Sequence, residues 1–500
     1  MKGKQKLSPE KRREMLDELE DVCREGQAEN EPEEEESFLR HFLPIRSHYR
    51  ILEPDILLMI GDKGAGKSEL FRALTYEAGR RALTDMARQL GRNVLDLKQI
   101  HWMVGFQTSG TDFPPPLVMR ELARKHGPGD MQLFWLALLM RVLLLAKVLP
   151  EGRLTGGLHK ELFDGSWPLE KWVDNLQQQQ GLVFGIMDEL DNRMRRDNRY
   201  VFVIYDELDR VGAEDWEALQ QMLRGLVQLW AIYSRRWRRL RPKLFLRRDL
   251  YDRTPSFGPD IAKIAASKAE IVWDVQEFYG VLMKRLLNSG ARLRPLLDQA
   301  LPPHTDAGPL GKLPVVRSAE DYRRAVERLF GPYMGSDPRK GFTFNWIPNH
   351  LKDGRGRIYP RPLLRLVAEA ARMEIPQLRG QETGALVHHT ALRGALDQVS
   401  EFRVQELQEE FPWIRTMQAA LKKRPFLVPE NREEVEAALA KIPWEKGKRP
   451  PFKAGRELLE FLFELGITQL RRDGRVDVGD LYLRGLGLKR KGGVARPRSA

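Results

Sequence analysis

One stretch near residue 60 constrains the fold more than any other part of the chain. An apolar run at 56–60 is followed by the eight residues GDKGAGKS, 61–68, and then by the helix-forming segment at 69–74. The eight residues match G-x-x-x-x-G-K-[ST] at every fixed position, and a strand and a helix flank them as this motif requires. The pattern therefore predicts a phosphate-binding loop between a buried strand and a helix.

Each residue type in this loop suits the binding of phosphate. Its glycines let the backbone pass close to a phosphate group with N–H groups pointing inward, and the helix N-terminus adds partial positive charge. Lys67 can reach the β- and γ-phosphates of ATP, and Ser68 can place its hydroxyl on Mg²⁺. The predicted nucleotide-binding residues are Gly61, Asp62, Lys63, Gly64, Ala65, Gly66, Lys67 and Ser68.

Two later stretches each have an apolar run that ends in Asp-Glu. The first, LVFGIMDELD at 182–191, places apolar residues four apart and continues without a turn, which predicts a helix over 180–196. The second, VFVIYDELDR at 201–210, is rich in β-branched and aromatic residues and follows a polar break, which predicts a strand over 200–205. The second stretch is therefore the better candidate for an acidic box at the end of a buried strand.

The second acidic box can act together with the loop. Asp206 would hold Mg²⁺ directly or through water, and Glu207 could orient or deprotonate the attacking water. Arg247 or Arg248, at the end of a further predicted strand, could stabilise charge on the γ-phosphate. Two plainer alternatives stay open at this point: Asp-Glu capping the next helix, and surface arginines in a basic protein.

Strand and helix patterns alternate from residue 56 to residue 273. Further strands are predicted at 101–106, 243–246 and 269–273, with an amphipathic helix at 214–239. This alternation predicts a parallel α/β sheet with the nucleotide at the carboxyl ends of its strands. The long apolar stretch at 128–149 is interrupted by Arg141, so we expect a buried core helix there and no membrane contact.

The fold class predicted is α/β, with a P-loop NTPase parallel-sheet core followed by a helical lid subdomain and a C-terminal winged-helix-like domain. The predicted boundaries are a charged N-terminal tail at 1–37, the core at 38–275, the lid at 276–400 and the last domain at 401–500. A short helix near 10–25 is expected inside a solvated tail. The winged-helix prediction depends on a helix at 455–465 followed by a hairpin with the turn Asp473-Gly474.

Charge and cysteine content limit which binding partners and which cellular compartment we expect. Lys and Arg number 83 against 70 Asp and Glu, a formal net charge of +13, which permits contact with double-stranded DNA or another anionic partner. Cys23 is the single cysteine, so disulfide frameworks and cysteine-based metal sites are excluded. Because no apolar segment follows the Lys-rich N-terminus, we expect a cytoplasmic protein.

The loop and the box YDELDR, 205–210, together resemble the ASCE branch of P-loop ATPases, close to its AAA-like, KAP and STAND groups. More narrowly, LFLRRD at 244–249, IVW at 271–273, FNW at 344–346 and DGRGRIYPR at 353–361 resemble a set of bacterial P-loop ATPases. The resemblance implies ATP and Mg²⁺ as cofactors, Arg247 as a sensor-1 residue and Arg361 as a sensor-2 residue. It also implies a homo-oligomer, and a role in defence against phage or mobile DNA is suggested for such relatives.

The function that these patterns favour is ATP hydrolysis coupled to a conformational change that acts on DNA or on a partner protein. The alternative is a protein-scaffold or signalling ATPase switch that binds no nucleic acid. GTP is disfavoured because no N-K-x-D box is present, and an ABC-type ATPase is disfavoured because no L-S-G-G-Q signature is present. A small-molecule kinase stays open, although it would not need a basic winged helix.

Overall fold

A computed structural model describes most of the chain. The described residues are 8–24, 34–149, 157–163, 166–212, 215–252, 264, 266–289, 292–297, 300–380, 384–423, 425–444, 449–450 and 455–491. They form two compact units, one of Pro44–Val272 and the other of Met1–Leu43 with Trp273–Ala500. We call the first the sheet unit and the second the helical unit, and each is described separately.

A five-stranded sheet organises the sheet unit. Its strands are β1 Leu58–Gly61, β2 Ile100–Phe106, β3 Tyr200–Tyr205, β4 Leu240–Arg247 and β5 Lys268–Glu270. They are parallel and lie in the order β2-β3-β4-β1-β5. Near-continuous apolar runs such as β3 are buried on both faces, as strands of a parallel sheet are. The predicted α/β fold with a parallel core sheet is confirmed.

Helices connect the strands of the sheet unit. Their bounds are Lys67–Thr75, Glu77–Gln89, Pro116–Lys125, Pro128–Leu145, Gly157–Phe163, Leu169–Gln178, Gln180–Arg196, Trp216–Tyr233 and Arg248–Tyr251. The helix predicted over 180–196 and the strand predicted over 200–205 are both confirmed. The first acidic box therefore lies on a helix and the second directly after a strand.

The helix Pro128–Leu145 is long and apolar enough to cross a membrane by length and composition alone, with a mean hydropathy of 1.4. It is nevertheless 67% buried inside the protein. Trp135 is 1% exposed and packs edge-on against Phe106 and Tyr205 at ring-centroid distances of 5.6 and 6.1 Å. The predicted core helix is confirmed.

The helix predicted over 214–239 is shorter in the structure and ends at Tyr233. Residue 214 lies outside the described residues. Trp237 lies just beyond this end, where its ring is fully buried and its indole N–H donates to Asp188 Oδ1 at 3.0 Å. The arginines between residues 235 and 241 therefore lie in a turn and at the start of β4, rather than along one side of a helix.

The helical unit contains longer helices and short hairpins. Its helices are Pro9–Arg24, Glu35–His41, Val275–Asn288, Arg294–Leu297, Arg323–Phe330, Thr343–Leu351, Pro360–Glu374, His389–Glu410, Trp413–Lys423, Arg432–Ala440, Gly455–Glu464 and Asp480–Leu483. Its strands are β6 His304–Asp306, β7 Lys312–Pro314, β8 Leu427–Val428, β9 Thr468–Leu470, β10 Val476–Val478 and β11 Lys489–Arg490. The pairs β6–β7 and β9–β10 are antiparallel.

The N-terminal residues 9–24 are a packed helix, whereas the sequence predicted a solvated tail. Met15, Leu16, Leu19, Val22 and Cys23 are buried, and their spacing forms one apolar stripe that packs on the helix Pro360–Glu374. The acidic segment 25–33 lies outside the described residues. Arg12 is buried on the same helix and donates to the Leu386 carbonyl at 2.7 Å. The high overall charge of the segment made this apolar stripe easy to miss in the sequence.

The boundary predicted between residues 400 and 401 falls inside the helix His389–Glu410. No glycine or proline interrupts this helix near residue 400, and Val399, Ser400 and Val404 are buried. The start of the predicted lid, at residue 276, is close to the division at Val272 and Trp273. The predicted lid and the last domain therefore belong to one compact unit joined by a continuous helix.

Candidate active site

The loop predicted to bind phosphate lies at the carboxyl end of β1, where the helix Lys67–Thr75 begins. Gly64 and Gly66 have φ angles of 83° and 87°, a left-handed conformation that glycine adopts without steric cost. A Cβ atom on Gly61 would lie 3.1 Å from the side chain of Lys67. The glycines therefore allow the loop to turn tightly around the Lys67 side chain.

Lys67 is the central cation of the site. Its ammonium donates to the carbonyl oxygens of Gly61 and Asp62 at 3.0 and 3.1 Å. Loss of water around the ammonium lowers the pKa of Lys67, and the carboxylates of Asp209 and Asp206 oppose that shift. The loop thus holds a positive charge between backbone carbonyls and two acidic side chains.

Asp206 follows the last residue of β3 and is 3% exposed. Burial raises the pKa of Asp206 to about 6, while hydrogen bonds from Ser68 and from the Glu207 backbone act in the opposite direction. Among the described residues, its buried Oδ2 atom has no hydrogen-bond partner. A buried carboxylate oxygen without a partner costs folding free energy, and a cation would supply the missing interaction.

The Ser68 hydroxyl and the Asp206 carboxylate fit Mg²⁺ by their chemistry. Both are hard oxygen donors, and Mg²⁺ in nucleotide sites takes one or two protein oxygens with phosphates and waters completing its shell. The partnerless Asp206 Oδ2 is the observation in favour of this fit. Mg²⁺, when bound there, would neutralise phosphate charge next to Lys67.

Asp206→Asn is expected to stabilise the nucleotide-free protein while weakening its use of Mg²⁺. A carboxyl whose pKa is about 6 in the folded protein and near 3.8 otherwise stabilises the folded state at low pH. That contribution is lost as pH rises through about 6, at a cost on the order of 3 kcal/mol near pH 7. The gain in melting temperature over wild type should therefore be larger near pH 7 than near pH 4.5.

Thermal melts at both pH values, without nucleotide or Mg²⁺, measure this difference. Asp174→Asn, on the exposed surface of the helix Leu169–Gln178, is the matched control and should leave the melting temperature unchanged. A lower melting temperature for Asp206→Asn near pH 7 would contradict the assigned cost of burying this carboxylate.

Glu207 is held in place by groups from two neighbouring segments. Its Oε2 atom accepts from the Thr108 N–H at 2.8 Å and from the Thr108 hydroxyl at 2.5 Å. Its Oε1 atom pairs with Arg210 at 3.0 Å. The backbone of Glu207 has a φ of 58°, an uncommon left-handed conformation for a non-glycine residue that costs on the order of 1 kcal/mol. Since both oxygens have partners, this carboxylate is not free to accept a proton from water.

Thr108→Val is expected to raise the basal rate of ATP hydrolysis. The substitution removes the hydroxyl donor to Glu207 but keeps the backbone donor, and one hydrogen bond to a charged group corresponds to roughly a tenfold change. Phosphate release under saturating ATP measures the rate, and Thr111→Val, an exposed threonine in the same loop, is the control. A slower rate in Thr108→Val would mean that Thr108 holds Glu207 in its productive position.

Arg247 lies beside the loop, because its Cα pairs with that of Gly61 across β4 and β1. Its guanidinium makes a bidentate contact with Asp249 at 2.9 and 3.1 Å and reaches Asp209 at 3.4 Å. Burial acts to raise the pKa of Asp209, but Arg247 and Lys67 outweigh burial, so this pKa lies below its ordinary value. Asp209 therefore serves as a shared counter-ion of Arg247 and Lys67.

Arg248 has a separate structural role at the edge of the site. Its guanidinium lies 3.5 Å from Asp62 of the loop and donates to Glu270 of β5 at 2.6 Å. It therefore ties the loop to the edge strand. Of the two arginines left open by the sequence, Arg247 is the one next to the acidic box.

Arg361, the predicted sensor-2 residue, lies in the helical unit near the start of the helix Pro360–Glu374. It donates to Glu406 Oε1 at 2.7 Å, and Glu406 also accepts from Arg403 at 2.9 Å. Arg361 therefore forms an ion pair within the helical unit. A contact between Arg361 and phosphate would require that pair to open.

Sequence reasoning missed two contributors to the site, Thr108 and Asp209. Thr108 was part of a loop without an assigned role, although it is among the first polar residues after β2, the strand next to β3. Asp209 and Arg210 are neighbours in the chain, but Arg210 pairs with Glu207 and Asp209 pairs with Arg247. Only the pairing of β2 with β3 in the folded sheet brings Thr108 next to Glu207.

Comparisons with known proteins give only weak similarities. No protein-family model matches the chain, and no curated protein matches it. The ORC2 protein of Aeropyrum pernix, solved in ADPNP–ADP complexes, is 13% identical with a TM-score of 0.37 over 85% of this chain and 83% of that chain. A Walker-type ATPase of Pyrococcus abyssi is 14% identical with a TM-score of 0.37 over 89% of this chain and 95% of that chain. Cdc6p of Pyrobaculum aerophilum is 12% identical with a TM-score of 0.25 over 86% and 85%.

The fold of the sheet unit therefore rests on its own geometry. A five-stranded parallel sheet carries a phosphate-binding loop after β1 and an Asp-Glu pair after β3. These features lie at the same edge of the sheet, where Ser68 hydrogen-bonds to Asp206 and Lys67 lies within electrostatic range of it. The sheet unit has the architecture of a P-loop nucleotide-binding domain.

Proposed function

We propose that this protein binds ATP with Mg²⁺, hydrolyses it, and uses the nucleotide state to change its conformation. The observation that carries the proposal is the convergence of Lys67, Ser68 and Asp206 at one edge of the parallel sheet. Phosphoryl transfer to water needs positioning and charge stabilisation more than covalent chemistry, and these groups supply both. The remaining loop residues are predicted to contact phosphate through their backbone N–H groups.

Each residue of the site would have its own role in hydrolysis. Lys67 would pair with the β- and γ-phosphates, and Ser68 with Asp206 would hold Mg²⁺. Glu207 would accept a proton from the attacking water once the hydrogen bonds from Thr108 and the pair with Arg210 loosen. Arg247 would stabilise charge on the γ-phosphate by exchanging its pair with Asp209.

Release of phosphate from ATP by the full-length protein tests this proposal. We expect a rate that requires Mg²⁺ and disappears on chelation, with GTP a poorer substrate. Protein that bound ATP–Mg²⁺ with no turnover under any condition would support nucleotide binding but contradict hydrolysis. Protein that bound no ATP would contradict the proposed function entirely.

The C-terminal part of the helical unit supports the winged-helix-like proposal through the order of its elements. A helix, a short strand, two helices and an antiparallel hairpin follow one another between Trp413 and Val478. The hairpin turn has Gly474 at a φ of 79°, and a bridge between Glu430 and Val476 joins the chain just after β8 to the hairpin. Such domains contact either DNA or proteins.

The charge on the helix Gly455–Glu464 favours a protein partner for this domain as a second candidate. This helix precedes the hairpin, the place of a DNA-recognition helix in a winged helix. Its exposed side chains are Arg456, Glu457, Glu460 and Glu464. Glu460 is paired with Arg432, but Glu457 and Glu464 still outnumber Arg456. The remaining negative charge would repel the phosphates that flank a major groove. We therefore propose a protein effector for this face.

A shared active site is the proposal for assembly, in which Arg361 of one copy completes the site of another. Mixing Lys67→Ala protein with Arg361→Ala protein tests it, because each variant would supply what the other lacks. Recovery of ATP hydrolysis on mixing, together with specific activity that rises with concentration, would support a homo-oligomer. A rate independent of concentration, without recovery, would leave Arg361 as the structural partner of Glu406.

A further inference from the structure

A dense group of arginines lies where the strands of the sheet begin, whereas the phosphate-binding loop at 61–68 lies where they end. Five arginines fall between Ser234 and Lys243, in the turn before β4 and in its first residues. The strand β4 runs from Leu240 to Arg247, so its two ends are separated by about 23 Å at a rise of ~3.3 Å per residue. This group is therefore remote from Lys67 and Asp206.

The turn before β3 adds further arginines to the same edge. The N–H of Val201 donates to the Arg239 carbonyl at 2.8 Å, and the Arg239 side chain donates to Asn198 Oδ1 at 3.3 Å. These contacts hold the turns before β3 and before β4 side by side. We name this surface the arginine edge and define it by Arg196, Arg199, Arg235, Arg238 and Arg241.

Several cations of the arginine edge have no carboxylate to balance them. Arg196, Arg235 and Arg238 are exposed, and none of the three has an ion-pair partner among the residues that the structure describes. Three of the neighbouring carboxylates are already paired: Asp188 with Arg236, Asp191 with Arg195, and Asp55 with Arg241 at 3.6 Å. Asp197, exposed beside Arg196, is a fourth and offsets only part of the positive charge. The surplus of positive charge is thus local and faces solvent.

An open pocket of about 410 Å³ lies within this surface. Three arginines and one carboxylate line it together with two serines and three apolar residues: Arg235, Arg238, Arg241, Asp55, Ser234, Ser267, Leu57, Ala231 and Ile264. The buried Nε atom of Arg241 has no hydrogen-bond partner among the described residues. Guanidinium groups bind phosphate oxygens through paired N–H donors, so the pocket offers convergent donors for a phosphate group.

The packing of the aromatic side chains at this edge indicates which kind of nucleic acid the surface suits. Arg239 covers the ring of Tyr200 at 4.3 Å, and the rings of Tyr233 and Trp237 stack on each other at 4.9 Å. Single strands are bound mainly by stacking of bases on free aromatic faces, and these faces are occupied within the protein. The edge is therefore suited to the phosphate backbone of a duplex, which needs charge but no stacking.

We propose that the arginine edge of the sheet unit binds the phosphate backbone of double-stranded DNA, independently of sequence. This inference deepens the proposed function, on which it rests for the link between DNA and the ATPase. It assigns the DNA contact to the edge opposite the nucleotide, rather than to the acidic helix Gly455–Glu464. Arg235 and Arg238 provide the phosphate contacts, and Arg241 forms the base of the pocket.

Binding of a fluorescently labelled mixed-sequence duplex to the full-length protein, followed by anisotropy over a range of salt concentrations, tests the proposal. The variant Arg235→Glu/Arg238→Glu is expected to lower affinity at least tenfold near 0.1 M salt. It should also reduce the slope of log affinity against log salt by about 2, because two phosphate contacts are lost. Arg235→Lys/Arg238→Lys, which keeps both charges, should retain most of the slope.

Arg456→Glu/Arg472→Glu is the matched control, because it makes the same change in charge on the exposed face of the winged-helix-like region. We expect it to bind the duplex as wild type does. Loss of binding in this control with retention in Arg235→Glu/Arg238→Glu would overturn the proposal. A single strand that binds as tightly as the duplex, or wild-type protein that binds no duplex at low salt, would also overturn it.

Binding of a fluorescent ATP analogue is measured in parallel on every variant. Both charge-reversal variants should bind it as wild type does, since the arginine edge is remote from the loop, and this result verifies their folding. Wild-type protein that binds the ATP analogue but no duplex contradicts the arginine edge alone. Wild-type protein that binds the duplex but no ATP analogue contradicts the proposed ATPase function and leaves the DNA contact standing.

Discussion

Lys67→Ala is expected to weaken the binding of ATP–Mg²⁺ by roughly a hundredfold. The charged contact with phosphate contributes about 1.5–3 kcal/mol, and each 1.4 kcal/mol is a factor of ten in affinity. The structure adds a second reason, because Asp206 and Asp209 both interact electrostatically with Lys67. Without that cation, the incoming phosphates would meet two carboxylates with less compensation.

Isothermal titration calorimetry on wild type and variant measures this loss. Lys171→Ala is the matched control, since Lys171 is exposed on the helix Leu169–Gln178 of the same unit, and its ATP affinity should match wild type. A thermal melt of each protein without nucleotide separates lost binding from lost folding. Unchanged ATP affinity in folded Lys67→Ala protein would exclude the phosphate-binding role of the loop.

Glu207→Gln is expected to reduce ATP turnover by about 10²–10⁴-fold while ATP binding is retained. The amide cannot accept a proton from water, yet its oxygen can still accept hydrogen bonds from Thr108, so the fold of the loop should be preserved. Because hydrolysis is slowed after binding, the ATP-bound state should accumulate. Single-turnover hydrolysis and nucleotide analysis of the isolated complex measure both effects.

Glu189→Gln is the control for this second prediction, because Glu189 occupies the same place in the first acidic box. That box lies on the helix Gln180–Arg196, where Asp188 pairs with Arg236 and Asp191 pairs with Arg195. We therefore expect Glu189→Gln to hydrolyse ATP at the wild-type rate. Normal turnover in Glu207→Gln together with a loss in Glu189→Gln would reverse the assignment of the two boxes.

The two acidic boxes show that residue patterns can predict secondary structure correctly even for similar sequences. Both contain Asp-Glu-Leu-Asp, yet the first was predicted to be a helix because its apolar residues lie four apart and share one helix face. The second was predicted to be a strand from its β-branched and aromatic residues and the polar break before it. The structure agrees over the whole length of both elements. Such predictions succeed because secondary structure, and which of its faces is buried, depend on residues that are close together in the sequence.

Ion-pair partners could not be predicted from local sequence patterns. Arg210 follows Asp209 in the chain but pairs with Glu207, while Asp209 pairs with Arg247 from another strand. Likewise, the charge of residues 9–24 predicted a solvated tail, although a stripe of apolar residues buries that helix in the helical unit. The Asp209–Arg247 pair and the packing of residues 9–24 join segments far apart in the chain. Even for Arg210, only the folded arrangement decides between the adjacent Asp209 and Glu207 three residues away.

The sequence by itself determined the loop at 61–68, the alternation of strands and helices in the sheet unit, and the choice of Asp206 and Glu207 as the acidic pair. Motif spacing and hydrophobic period carry this information, because both are set by backbone geometry along a continuous segment. Tertiary structure alone decided that Thr108 and Arg210 hold Glu207, and that the arginines before β3 and β4 form one surface. The order β2-β3-β4-β1-β5 brings these segments together, and the sequence does not state which strands are neighbours in the sheet.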